Sequence, residues 1–200
     1  QSTAITCIKP SGTVSQLVDS SSGIHPRHSS YYIRTVRGDN KDPLTNFMVD
    51  SGIPNEADFM KPDTQTVFSF PMKSPKNSVM RNDMTAIEQL EMWLLYQRHW
   101  CEHKPSVTIS VRDDEWMEVG AFVFKHFDEM SGVSFLPHSD HTYQQAPYQD
   151  CTEAVYNDFS SKFGHIDWNK FIDYEKEDNT KSSQTFACSG DSCEIVDIGA

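Results

Sequence analysis

Between residues 66 and 136 the sequence alternates between two hydrophobic periods, and this alternation constrains the fold more than any other feature. Thr66, Val67, Phe68, Ser69 and Phe70 form a β-branched and aromatic run closed by Pro71, the composition of a strand. Met84, Ile87, Leu90 and Leu94 then recur at helical spacing. Thr85 followed three positions later by Glu88 fits a capping box, so a helix is predicted over residues 85–101. Pro105 ends it, and residues 106–111 read as a second strand. Asp113 or Asp114 is expected to cap a second helix, with Trp116, Val119, Val123 and Phe127 as its buried stripe. Residues 132–136 form a third strand, stopped by Pro137. Strand, helix, strand, helix, strand with short connections is the signature of parallel βαβ units covered on both faces, so an α/β fold is expected.

The flanks are less regular. The chain opens without Met on an apolar run at residues 5–8, read as a short strand, and so reads as a piece of a longer polypeptide. Residues 19–64 are rich in Ser, Gly and Pro, with a strand predicted over 31–36 and a short helix over 43–49. A helix is expected near 153–163, followed by a polar tail from 175 that ends in Cys188 and Cys193; the natural boundary lies between residues 172 and 173. With 37% hydrophobic residues among 200, the chain can bury a core. Seventeen basic against 29 acidic residues give a net charge of −12. That opposes a broad surface for nucleic acid or anionic lipid, though not a single local phosphate pocket. No apolar run approaches a membrane span and no basic-then-apolar leader opens the chain, so a cytoplasmic protein is expected.

Chemistry is concentrated in two places. At residues 10–15 a turn of small residues lies between the opening apolar run and a short helix. Such a turn exposes unpaired backbone N–H groups, Gly12 lets an anion approach the backbone, and the hydroxyls of Ser11, Thr13 and Ser15 add donors. It has neither the Lys of a Walker loop nor the three glycines of a dinucleotide fingerprint, and an ordinary capped helix start fits the same residues. The second place is the pair Cys188 and Cys193, separated by Ser, Gly, Asp and Ser. Two thiols at that spacing on an accessible tail suit thiol–disulfide exchange, while incidental cysteines or half a metal site remain open readings. His99, Cys101 and His103 have metal-like spacing, but alternate residues at a helix end do not converge on one point. His25, His138 and His141 read first as packing or hydrogen-bonding side chains, and the Tyr31–Tyr32 pair reads as strand packing.

Taken in order, the run from Thr6 to Ser15, Ser22-Gly-Ile-His-Pro26, Tyr32-Ile-Arg34, the run from Ala86 to Glu91, Gly132-Val-Ser-Phe-Leu-Pro137, the run from Tyr143 to Tyr148, and the terminal cysteine pair resemble one family. The family is the adenosylcobalamin-dependent, class II ribonucleotide reductases, and within it the monomeric ribonucleoside-triphosphate reductases. The resemblance implies the C-terminal part of a ten-stranded α/β barrel. It implies that Ser11, Gly12, Thr13, Val14 and Ser15 hold the phosphates of a ribonucleoside triphosphate. It also implies that Cys188 and Cys193 shuttle electrons from thioredoxin to a barrel disulfide, with adenosylcobalamin as radical source in a complete enzyme that is a monomer. Two departures stand out. The Asn-Pro-Cys-x-Glu motif of the thiyl cysteine is missing from this chain, so the segment alone is expected to be inactive. The stretch from Val133 to Leu136 has no tyrosine pair of the kind class I enzymes use for radical transfer, which favours a cobalamin-made radical. A non-catalytic module binding phosphate or metal through His99, Cys101, His103 and the terminal cysteines is the alternative.

Overall fold

Backbone pairing sorts the strands into two sheets. The computed structural model describes residues 1–12, 14–138 and 144–175. Helix α1 (Val14–Leu17) is followed by strand β1 (Tyr31–Asp39), helix α2 (Pro43–Asp50), and strands β2 (Asn55–Ala57) and β3 (Gln65–Lys73). Helix α3 (Ala86–His99), strand β4 (Thr108–Val111), helix α4 (Trp116–Lys125), strands β5 (Ser134–Pro137) and β6 (Tyr148–Asp150), and helix α5 (Glu153–Ser161) complete the order. One sheet runs β2-β3-β1-β6, and the other is the pair β4-β5. The chain divides into two units, Gln1–Arg34 with Pro71–Phe159, and Thr35–Phe70 with Ser160–Ala200.

The first unit is built on the predicted βαβ pattern. Strands β4 and β5 are parallel, Thr108 facing Ser134 and Val111 facing Pro137, with α4 between them in sequence. Ala86, Leu90, Trp93 and Leu94 of α3 pack with Val107, Ile109, Val111 and Val119. Trp93 is fully buried and its indole N–H donates to the Pro105 carbonyl at 3.0 Å, so the loop that follows α3 satisfies the helix's largest side chain. The capping box at Thr85 and Glu88 forms as expected: the Glu88 amide donates to Thr85 Oγ1 at 3.2 Å and the Thr85 amide to Glu88 Oε2 at 2.7 Å.

Three expectations are corrected. The strand over 66–70, extended here as β3, pairs antiparallel with β2 in the other sheet, so it is not the first of three parallel strands. Hydrophobic content marks a strand but does not choose its neighbour, and β2 supplies an antiparallel edge near in sequence. Residues 5–8 form no regular strand. They run extended beside 103–106, with the His103 amide on the Thr6 carbonyl and the Ser106 amide on the Ile8 carbonyl. Pro105, which has no N–H, interrupts the ladder. Finally, Glu115 takes the cap position of α4 in place of Asp113 or Asp114. Its carboxylate accepts from the Arg112 amide at 2.8 Å and from the Ala86 amide at 3.1 Å, and so joins the starts of α3 and α4. The buried side of α4 is Val119 with Phe122 and Val123 partly covered; Trp116 and Phe127 are 39% and 70% exposed.

In the second unit, Asp42 caps α2 by accepting from the Leu44 amide at 2.9 Å, and Pro43 occupies the first turn, where its missing N–H costs nothing. Phe47, Met48, Ile53 and Phe68 form the core, with Phe70, Phe163, Ile166, Phe171 and Tyr174 packed around it. Gly38 is required by contact: a Cβ there would lie 2.2 Å from Thr45 Oγ1 and 3.2 Å from a Phe68 ring carbon. Gly38→Ala is therefore expected to destabilise the protein by about 1–3 kcal/mol in denaturant titrations. Adding Thr45→Ala to it should restore part of that loss.

A second expectation concerns acid. Arg98 and His126 both bond Glu129, holding its carboxyl at about 2. A folded-state value below that of the unfolded chain adds stability above the ordinary carboxylate range, and this is lost as pH falls towards 2. Glu129→Gln should lower the melting temperature at neutral pH, and the gap from wild type should close as the pH is taken from about 5 down to about 2.

Candidate functional site: a serine-bracketed turn beside a cavity

The turn at residues 10–16 is held at its ends, and Gly12 and Val14 within it are exposed. The Ser11 amide donates to Ser22 Oγ at 2.9 Å, and the Ser22 hydroxyl donates back to the Ser11 carbonyl at 2.9 Å. Ser11 Oγ accepts from the Ser15 amide at 2.8 Å, and the Ser20 amide closes the far side on the Ser15 carbonyl at 2.8 Å. Asp19, at φ 55°, turns the chain back after α1. Thus the amides of Ser11 and Ser15 are engaged within the protein. Gly12 and Val14 are exposed, and among the described residues nothing accepts from their amides. Thr13 lies outside the described residues.

Two details mark this turn. A Cβ on Gly12 would meet nothing within 4 Å, and Gly12 is not in the left-handed region, so neither packing nor backbone conformation requires glycine there. Ser15 is 5% exposed and its hydroxyl is buried with no hydrogen-bond partner among the described residues, an arrangement that folded proteins rarely leave in place.

A cavity of about 400 Å³ opens beside the turn, lined on that side by Pro10, Gln16 and Ser22. Opposite stand Arg27, His28, Tyr32, Arg81 and Tyr148. Strand alternation places Tyr32 and Arg34 on one face of β1, and the register sets Tyr148 of β6 opposite Arg34. The Tyr32 hydroxyl donates to Gln16 Oε1 at 2.7 Å. The Arg34 guanidinium donates to the Gly12 carbonyl at 3.3 Å and to the Pro147 carbonyl at 3.4 Å, and its carbon lies 4.3 Å from the centre of the Tyr148 ring. His25, considered from sequence as a packing histidine, is a bridge. Its Nδ1 meets the Ser22 carbonyl at 2.8 Å and its Nε2 accepts from the Thr108 amide at 3.0 Å, which fixes the tautomer and ties the turn's serine loop to β4.

Charge around the cavity is arranged in pairs. Buried Arg27 bonds Asp19 at 2.8 Å and the Ser20 carbonyl, locking the loop after α1. Arg81 lies 3.1 Å from Asp150, and His28 Nε2 lies 2.8 Å from the other oxygen of the same carboxylate. Burial, reinforced by Arg81, pushes the His28 imidazole below its ordinary value against the pull of Asp150. Burial likewise raises the Tyr32 hydroxyl.

The other sequence candidates fall elsewhere. Cys188 and Cys193 lie outside the described residues, as does His141. Among the described residues no three His, Cys, Asp or Glu side chains gather as metal ligands, so His99, Cys101 and His103 form no such group. His138 Nε2 contacts Asn82 Oδ1 at 3.0 Å, a structural role. Ser22, Gln16, Tyr32, Arg34 and Tyr148 were not singled out as site residues. The signal that could have found them is the two-residue spacing of Tyr32 and Arg34 on a predicted strand. Among the described residues no helix is long and apolar enough to cross a membrane.

Comparison with known proteins decides the relationship. A probable adenosylcobalamin-dependent ribonucleoside-triphosphate reductase of Dictyostelium discoideum is 32% identical over 96% of this chain and 25% of its own length. The Euglena gracilis adenosylcobalamin-dependent ribonucleoside-triphosphate reductase is 28% identical over 96% of this chain and 27% of its own. The crystal structure of a B12-dependent, class II ribonucleotide reductase superposes with a TM-score of 0.70 at 27% identity, over 84% of this chain and 24% of that one. The chain is homologous to one segment of the class II ribonucleotide reductases. No protein-family model matches it. It spans about a quarter of the length of the curated reductases it matches. The mixed α/β architecture agrees with that of the solved reductase.

The depressed His28 value has a consequence for stability. A buried imidazole that resists protonation makes the unfolded chain bind more protons near pH 6, so stability rises with pH through that range. Replacing His28 with Gln should remove this component. Thermal melts should show the wild-type advantage shrinking as pH drops from about 8 to about 5, whereas an advantage constant with pH would contradict a buried neutral His28.

Proposed function

We propose that this chain is the C-terminal part of a thioredoxin-dependent, cytoplasmic ribonucleoside-triphosphate reductase, an enzyme making deoxyribonucleotides for DNA synthesis. Residues 1–172 supply later strands and helices of a ten-stranded α/β barrel, and residues 173–200 form a tail carrying the redox pair. Ser11, Gly12, Thr13, Val14 and Ser15 hold the substrate's phosphates. The division of labour follows from the hydrogen bonds: Ser11 and Ser22 set the shape, and the Gly12 and Val14 amides are the donors left to an anion. The single observation that carries this reading is Gly12, a glycine that nothing in its own chain requires.

In the complete reaction the ribose 2′-hydroxyl leaves as water and is replaced by hydrogen, while two thiols become a disulfide, so the two electrons balance. Adenosylcobalamin supplies the initiating radical. No residue of this chain is assigned to the cobalamin, and the thiyl cysteine belongs to a part of the complete, monomeric enzyme that this chain lacks. A thiolate of Cys188 or Cys193 attacks the resulting disulfide, and the second thiol resolves the mixed disulfide. The pair is left oxidised for thioredoxin to reduce.

Two outcomes test this in the complete enzyme. Gly12→Leu should leave the melting temperature unchanged, since the space is open, and raise KM for the nucleotide by about ten-fold, the loss of roughly one charge-assisted hydrogen bond. An unchanged KM would remove the phosphate assignment. Replacing both Cys188 and Cys193 with Ser should abolish repeated turnover with thioredoxin while leaving one turnover from pre-reduced enzyme. Full cycling in that variant would refute the shuttle.

A further inference from the structure

Among its described residues the turn has two free amide donors, yet a nucleoside triphosphate brings a larger negative charge than two amides neutralise. The basic side chains nearest the turn are nearly all committed. Arg27 is buried against Asp19, and Arg81 is paired with Asp150. Lys9 is turned onto the Lys104 carbonyl at 3.2 Å and the Ser106 hydroxyl at 2.9 Å. Arg34 differs from these. Its partners among the described residues are two carbonyls and a ring face, with no carboxylate, so its charge is uncompensated. A guanidinium has five N–H donors, and carbonyl bonds occupy one on each terminal nitrogen. Stacking on Tyr148 fixes its plane, and the 3.3 Å bond to the Gly12 carbonyl places it at the open part of the turn.

We propose that Arg34 binds the terminal phosphate of the nucleotide and thereby gives this segment its preference for triphosphate over diphosphate substrates. The proposal rests on the phosphate reading of the turn. The turn's amides take the inner phosphates, and the planar fork of Arg34, half-buried and held at the rim, takes the outermost group, which a diphosphate lacks. Lysine would keep the charge but neither the stack nor the paired donors.

The test measures kcat/KM for one ribonucleoside as its triphosphate and as its diphosphate in the complete enzyme, for wild type, Arg34→Lys, Arg34→Gln and Gly12→Leu. The ratio of the two values is internal to each variant, so a partly unfolded preparation does not distort it. Arg34→Gln should cut the triphosphate-to-diphosphate ratio by about 10- to 100-fold, chiefly by raising KM for the triphosphate, with Arg34→Lys between it and wild type. A ratio unchanged in Arg34→Gln, while Gly12→Leu raises KM for both nucleotides, would overturn the role of Arg34 and leave the turn as the phosphate site. Unchanged KM values in Gly12→Leu would overturn the phosphate reading itself, and with it this proposal.

Discussion

Backbone amides taken out of water need acceptors, and the turn at residues 10–16 meets that need by hydroxyl groups at its ends. Ser22 accepts from one end and returns a hydrogen bond to the same residue, while Ser11 accepts from the other. With the ends satisfied by short side chains, Gly12 and Val14 between them are left exposed. The exposed amides of Gly12 and Val14, with no acceptor among the described residues, are the donors that the proposed phosphate site uses.

The surroundings of the turn depend on that fixed shape. Arg27 secures the loop that carries Ser22 by binding Asp19 and the Ser20 carbonyl, and His25 ties the same loop to β4. From the other side the alternation of β1 brings Tyr32 onto Gln16 and Arg34 onto Gly12, with β6 setting Tyr148 beneath the guanidinium. Among the described residues, Ser15 Oγ, His28 Nε2, Thr45 Oγ1 and Arg81 Nε are buried without a hydrogen-bond partner, and the Ser15 hydroxyl lies in the turn itself. Near the cavity Arg27 is paired with Asp19 and Arg81 with Asp150, whereas Arg34, at the turn, has no carboxylate partner among the described residues.

Much of the fold was legible in the sequence because local chemistry decides it. The capping box at Thr85, the proline stop at Pro105 and the helical period over α3 each act within a few residues, and the parallel β4-β5 pair followed from them. What failed was non-local. The pairing of β3 depends on which edge it meets, and a hydrophobic run carries no record of that. Glu115 rather than either aspartate takes the cap position of α4, and its side chain reaches Ala86 on another helix, a contact set by tertiary packing. In the site, the turn was visible as a string of small residues, but its brackets were not: Ser22, Arg34 and Tyr148 approach it from 11, 22 and over a hundred positions away in sequence.

The turn is best tested by amide hydrogen exchange on the complete reductase, with and without a ribonucleoside triphosphate. Slowing of exchange at Gly12 and Val14 on adding nucleotide, with Ser11 and Ser15 already protected in its absence, is the expected pattern. Nucleotide binding that leaves Gly12 and Val14 exchanging at their free rates would contradict a phosphate seat at this turn.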